Sequence, residues 1–165
     1  MQHNNQHNTQ RFLVTLLLAM CLKILPLPVV LNYLNPDWVL LVLIYWTLAT
    51  PERVGVFNAL VIGILVDVLT GRLLGQHALI YALISYTCLK LHKRLRHYPV
   101  PQQALFIFLL LMFSQMMVFW IENIQAPVQL TVSFWVPVFT GTILWPLVYS
   151  GLRYIRIFGF LGRHD

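Results

Sequence analysis

The chain has 165 residues, of which 59% are hydrophobic and only 10% charged, and its formal net charge is +6. A water-soluble domain carries about 25% charged residues, so this composition excludes a soluble globule and indicates an integral membrane protein. The apolar segments are continuous rather than alternating, which favours membrane helices over a barrel. The basic residues lie between and after these segments, where they indicate orientation and contact with anionic lipid headgroups rather than nucleic-acid binding.

The N-terminal part is predicted to contain a tail and a first span. Residues 1–11 are rich in Asn, Gln and His, and we predict a disordered cytoplasmic tail. Phe12–Leu31 is long enough to cross a bilayer. Lys23 lies late in this span, so its ammonium group either reaches the membrane interface or meets an acid inside the bundle. We favour the interface, because two prolines follow closely and end or bend the helix.

Two short apolar helices are predicted next, Trp38–Thr50 and Val54–Leu69, joined by the turn Pro51-Glu52-Arg53. Each is shorter than the ~20 residues that cross a bilayer. The pair therefore either crosses the membrane twice or forms a re-entrant hairpin. Both alternatives leave the later segments with the same orientation.

The stretch from Val54 to Gln76 is predicted to be a buried, tightly packed helix with an exit turn. Small residues at every fourth position let another helix approach closely in a membrane. Such a row drifts ~40° per step around a helix, so its last two glycines are expected to shape the turn instead. The predicted contacts to a neighbouring helix or a partner are Gly55, Ala59, Gly63, Asp67, Gly71 and Gly75.

Asp67 is the acid within this apolar stretch. An ionisable group in a membrane is costly and faces protein or water rather than lipid. We predict a structural ion pair with Arg72, with Lys23 and His77 as other partners, and leave a ligand site as the alternative. The sequence contains no catalytic signature and no metal-ligand spacing, so we predict no enzymatic activity, no cofactor and no metal site.

The second half is predicted to contain three more helices. His77–Leu89 ends in a basic segment whose cations are Lys90, Lys93, Arg94 and Arg96. These closely spaced cations either set the orientation of the chain and contact lipid headgroups, or form a docking surface for a cytoplasmic protein. Gln103–Ile121 and Leu130–Leu152 are the last spans. The predicted domain is therefore residues 12–152, followed by a cytoplasmic tail at 153–165.

Six crossings with both termini in the cytoplasm give a strong charge asymmetry. The predicted outer side then holds only Arg72, while Lys23 stays in the first span. Cytoplasmic segments of membrane proteins are enriched in Lys and Arg, which supports this orientation. The predicted cytoplasmic cations are Arg11, Arg53, Lys90, Lys93, Arg94, Arg96, Arg153, Arg156 and Arg163.

Several moderate motifs in series resemble the MreD family of rod shape-determining membrane proteins of Gram-negative bacteria. They cover nearly the whole chain after the tail, and none of them is a catalytic signature. The motifs are Asn35-Pro36-Asp37-Trp38, Pro51, Arg53-Val54-Gly55, the row Gly63, Asp67, Gly71 and Gly75, Gln102-Gln103-Ala104-Leu105, Val118-Phe119-Trp120 and Leu144-Trp145-Pro146.

The resemblance implies a non-enzymatic inner-membrane component of the cell-elongation machinery that scaffolds peptidoglycan synthesis. It implies direct contact with MreC, and membership of a complex with MreB, RodA and the penicillin-binding protein PBP2. It also implies a six-helix fold similar to the substrate-binding subunits of energy-coupling-factor transporters. Because fold alone does not give function, the alternative is a small-molecule or lipid-intermediate binding or transport subunit. That alternative predicts a roomy polar pocket near Asp67.

Overall fold

The computed structural model describes residues 3–26, 28, 31, 34–125, 127, 129 and 131–158. Within these ranges the regular elements are helices and no strand is present, so the predicted all-α class is confirmed for this part of the chain. A one-turn 3-10 helix at Val132–Phe134 precedes the last α-helix. The six α-helices are α1 (His3–Ile24), α2 (Trp38–Ala49), α3 (Val56–Thr70), α4 (Gln76–Leu95), α5 (Val100–Gln125) and α6 (Val136–Phe158).

Helix α2 lies at the centre of the bundle. All ten residues from Val39 to Leu48 are buried, as expected for a helix that is apolar on every side. The other five helices form a ring around it, in which α1 contacts α3, α3 contacts α4, α4 contacts α5, α5 contacts α6, and α6 contacts α1. The fully enclosed helix is thus α2, and not the Val54–Gln76 stretch that the sequence singled out.

Helix α3 buries only one face, which packs mainly against α4. The buried residues on that face include Ala59, Gly63 and Asp67. Its opposite face exposes large apolar side chains such as Phe57 and Val68. The row of small residues therefore packs α3 against α4, and these two helices of the ring form a hairpin.

In the part of the chain that the structure describes, two helical segments are long and apolar enough to cross a membrane, Val100–Gln125 and Val132–Ile157. Less than a third of the most apolar window of each is buried inside the chain. The helices α1, α3 and α4 also expose many Leu, Val and Ile side chains. So many exposed large apolar side chains are typical of contact with lipid or protein rather than water.

Two helices extend beyond their predicted bounds. Helix α1 begins at His3, within the residues predicted to form the tail; Gln is a good helix former, and extending an existing helix by Asn or His costs little. The same helix ends at Ile24, just before the prolines that were expected to end or bend it. Helix α6 continues past residue 152 to Phe158, while residues 159–165 lie outside the described ranges.

Candidate functional site

A cavity of about 820 Å³ opens at the end of the bundle where α1 finishes and α2 begins. Every one of the six helices contributes to its wall. The cavity follows from helix lengths, because α2 has 12 residues and α5 has 26, which correspond to roughly 18 Å and 39 Å. The first turn of α2 therefore forms a floor below the ends of its neighbours. The charged and polar wall includes Lys23, Asp37, Arg72, His77, Ser114 and Glu122.

Asp67 is completely buried just behind this wall. Its carboxylate accepts hydrogen bonds from the backbone N–H groups of Gly75, at 2.9 Å, and His77, at 3.0 Å. It also lies 2.7 Å from His77 Nδ1. The first N–H groups of a helix have no partner inside the helix, so Asp67 of α3 satisfies the start of α4. The structure thus pairs Asp67 with the nearby His77, an alternative that the sequence left open.

Two glycines make this arrangement possible. Gly71 ends α3 in the left-handed conformation at φ +63°, and Gly75 precedes α4 at φ +101°. Only glycine adopts such angles at little cost. The turn they form brings the start of α4 back against the last part of α3, where Asp67 receives it. The predicted role of these two residues in the exit turn agrees with the backbone.

The expected ion pair between Asp67 and Arg72 does not form. The Arg72 guanidinium instead pairs with Glu122 of α5, across the cavity mouth. Gly71 turns the chain away from the helix axis between Asp67 and Arg72, so the two side chains diverge. Both groups of the observed pair remain partly exposed, and screening by solvent keeps the contribution of such a pair to stability small.

Lys23 takes part in a second charged pair, with Asp37 at 3.0 Å. The Tyr81 hydroxyl accepts a hydrogen bond from Lys23 and donates to the same carboxylate at 2.8 Å. Asp37 also caps α2 by accepting from the N–H of Leu40. We expected Lys23 to reach the membrane interface; the structure shows the other alternative, an acid inside the bundle. Three helices are therefore tied together beside the cavity.

Gly63 marks a close approach of two backbones. A Cβ atom at Gly63 would collide with the Cα and N atoms of Ala78 and would lie 2.6 Å from the carbonyl carbon of His77. Contacts this short between helices need a residue without a side chain. Ala59 is fully buried one turn earlier, whereas Gly55 has open space around its Cα. At Gly63, the predicted packing surface therefore contacts α4 of the same chain. Gly55 borders open space instead.

The opposite end of the bundle is basic. The Arg53 guanidinium donates to Thr9 Oγ1, and that of Arg11 donates to the backbone carbonyl of Arg156. The α2–α3 turn, the first part of α1 and the last part of α6 therefore meet at this end. The four predicted cations of the basic segment, Lys90, Lys93, Arg94 and Arg96, are all exposed where α4 ends.

Residues 6–155 match the family described as rod shape-determining protein MreD. The chain belongs to the MreD family. It is 31% identical over 139 residues to the rod shape-determining protein MreD of Haemophilus influenzae, covering 84% of this chain and 86% of that protein. No solved structure matches the chain. Membership confirms the resemblance inferred from the motifs, and it identifies the chain as a membrane protein of a family that determines rod shape.

Several contacts of this MreD-family chain have no signal in the sequence. The positions of Tyr81 and Ser114, and the pairing of Arg72 with Glu122, become evident only when the helices are placed side by side. Gln103 belongs to one of the family motifs, and its side-chain amide donates to the backbone carbonyls of Leu95 and Tyr98. A polar residue at the apolar start of a span was the available signal for this bridge. No group of three metal-binding side chains occurs in the described ranges.

Proposed function

We propose that this MreD-family chain is a non-enzymatic, multi-pass component of the bacterial inner membrane that scaffolds peptidoglycan synthesis during cell elongation. Family membership supports a role in rod shape. The single observation that carries the scaffolding role is the exposed, preformed basic segment at the end of α4. The resemblance implies direct contact with MreC and a complex with MreB, RodA and PBP2, and we propose these as its partners.

Six crossings with cytoplasmic termini are part of this proposal. It is supported by the different balance of charges at the two ends of the bundle. At the cavity end, the cations Lys23 and Arg72 each face a carboxylate. The cations at the basic end include Arg11 and Arg156, which are joined by a hydrogen bond, and the whole basic segment. The positive end of a membrane protein faces the cytoplasm, so the cavity opens on the periplasmic side.

The two short helices α2 and α3 are proposed to cross the membrane twice rather than re-enter. Helix α2 begins at the cavity, and the turn after it carries Arg53, which reaches Thr9 at the opposite end. Helix α3 returns to the cavity at Thr70. A short span is accommodated by local thinning of the bilayer, and α2 is shielded from lipid in any case.

The basic segment is well suited to docking because its backbone is held in place. Gln103 of α5 bridges two carbonyls on either side of the bend after α4, and Leu95 is buried between the exposed cations. A preorganised surface loses less conformational entropy on binding than a flexible one. We propose that it contacts an acidic surface on a cytoplasmic partner as well as anionic lipid headgroups.

The test reverses three charges, Lys93→Glu, Arg94→Glu and Arg96→Glu, in one variant. Replacing up to three weak attractions by repulsions should lower recovery of the MreC-containing complex by about tenfold, and cells should become wider. Arg153→Glu is the control, because this exposed cation lies at the same end on α6. A fusion at the C-terminus reports orientation. Normal cell width and complex recovery in correctly oriented protein would exclude docking at this segment.

A second candidate function is a small-molecule or lipid-intermediate binding or transport subunit. The specific observation in its favour is the cavity, whose volume and polar wall match what this alternative required. Asp67 does not line the cavity itself; it lies behind His77, which does. Any ligand would therefore contact His77 and not the carboxylate.

A further inference from the structure

We propose that the cavity binds a neutral, hydroxyl-bearing ligand of the saccharide class, and that the buried side chains of His77 and Ser114 recognise it. The inference rests on the second candidate function above and is independent of docking at the basic segment. The ligand is either a free sugar or the sugar headgroup of a lipid. Both would present the same sugar hydroxyl groups to the cavity wall.

His77 presents one ring nitrogen to the cavity. Its side chain is only 5% exposed, and its ring lines the cavity. Because Nδ1 faces a carboxylate at 2.7 Å, the proton of the neutral ring lies on Nδ1 and the lone pair on Nε2. None of the residues described in the structure hydrogen-bonds to Nε2. This nitrogen is therefore a fixed acceptor for a ligand hydroxyl, and Asp67 is its positioning residue.

Ser114 on α5 is the second unpartnered polar group in the wall. It is 6% exposed and lines the same cavity. A serine within a helix commonly bonds to the carbonyl four residues earlier, as Thr140 and Thr142 do here. Among the described residues, Ser114 Oγ takes part in no such bond. Because Ser114 lines the cavity, its hydroxyl is free to pair with a ligand hydroxyl.

The charges of the wall select against an anion. Lys23 already pairs with Asp37, and Arg72 with Glu122. Asp67 adds a negative charge behind the wall. Among the described residues of the wall, no further cation is present to neutralise a phosphate, which would therefore meet a wall with no positive excess. A sugar needs only donors and acceptors, and this wall offers both.

Size and apolar surface agree with this class. A volume of about 820 Å³ lies within the range of roughly 300–1,000 Å³ that holds small ligands. The apolar part of the wall includes Leu111, Val118 and Phe134. The C–H face of a sugar ring packs on such side chains while its hydroxyl groups reach the polar ones.

The experiment measures binding to the purified full chain in phosphatidylcholine nanodiscs. The probes are radiolabelled glucose and monoglucosyl diacylglycerol, which carry the same headgroup. Ser114→Ala should weaken binding by about threefold to tenfold, the value of one hydrogen bond, and Ser114→Leu by about tenfold or more, because it removes the hydroxyl and places a larger side chain where the ligand would lie against α5. Ser150→Leu is the matched control, since Ser150 is exposed on α6 outside the cavity wall.

Binding of either probe that depends on Ser114 supports the proposal, and the probe that binds identifies the source. Failure of both probes to bind the wild-type chain would overturn it, as would equal binding by wild type and Ser114→Leu. Phosphatidylglycerol is the anionic competitor; Ser114-dependent binding of this lipid would refute the charge argument. Cell width is scored separately, so loss of sugar binding with normal rods leaves the scaffolding role intact.

Discussion

The close contact at Gly63 allows a quantitative test with the smallest side chain that can be added. In Gly63→Ala, the new methyl group would lie 2.6 Å from the carbonyl carbon of His77 and closer still to the backbone of Ala78. Carbon atoms pack at about 3.5–4.0 Å, so α3 and α4 have to separate by roughly 1 Å. Backbone atoms cannot rotate away as a side chain can, which places the strain near the upper end of the usual range for overpacking, about 1–3 kcal/mol.

A matched variant isolates this steric cost. Gly151 lies within α6, and a Cβ there would meet no atom within 4 Å. Both Gly→Ala changes gain about 1 kcal/mol of helix propensity. The difference between their free energies of unfolding therefore cancels the propensity gain and measures what the close approach costs, which we expect to be about 2–3 kcal/mol. The measurement is unfolding in mixed micelles with increasing sodium dodecyl sulfate, followed by helical circular dichroism.

Equal or greater stability of Gly63→Ala relative to Gly151→Ala would refute the close packing of the hairpin. The separation of the helices should also lengthen the hydrogen bond between Asp67 and His77, one turn further along α3. The size of the effect therefore includes both the clash and the weakened cap of α4.

Two charged sites provide further tests by the same unfolding assay. Asp67→Asn should lower the free energy of unfolding by about 1–3 kcal/mol, because its amide brings a donor against backbone N–H donors; the exposed Glu52→Gln is the control, and equal stability of the two variants would contradict this expectation. Lys23→Met and Asp37→Asn should each destabilise the chain, with the double variant about 0.5–3 kcal/mol less destabilised than their sum. Strict additivity would show that the pair contributes nothing.

Local features of this fold were predictable from the sequence. Continuous apolar segments predicted the helices, and the prolines and glycines predicted the turns between them. The spacing around Gly63 predicted a close helix contact, which occurs within the chain. Gly71 and Gly75 were expected at the exit turn, and both have the positive φ angles that such a turn requires. These features depend on residues near one another in the chain.

Contacts between distant helices were not predictable in the same way. Asp67 had an arginine five residues away, yet the turn at Gly71 directed that arginine to Glu122. Lys23 meets Asp37 and Tyr81 because α1, α2 and α4 are neighbours, which no local pattern reveals. The central position of α2 was also hidden, since lipid and protein interior are equally apolar. A helix that is hydrophobic on all sides therefore fits either environment.

The enclosure of α2 also constrains how the chain is made. Its main neighbours are α1, which the ribosome synthesises before it, and α4 and α6, which follow much later. A 12-residue helix is too short to span the bilayer comfortably by itself. Its final packing partners exist only once α6 has been inserted. The nascent chain must therefore hold α2 in an unfinished environment until α6 has been made, so the packing around the centre of this bundle is completed by α6.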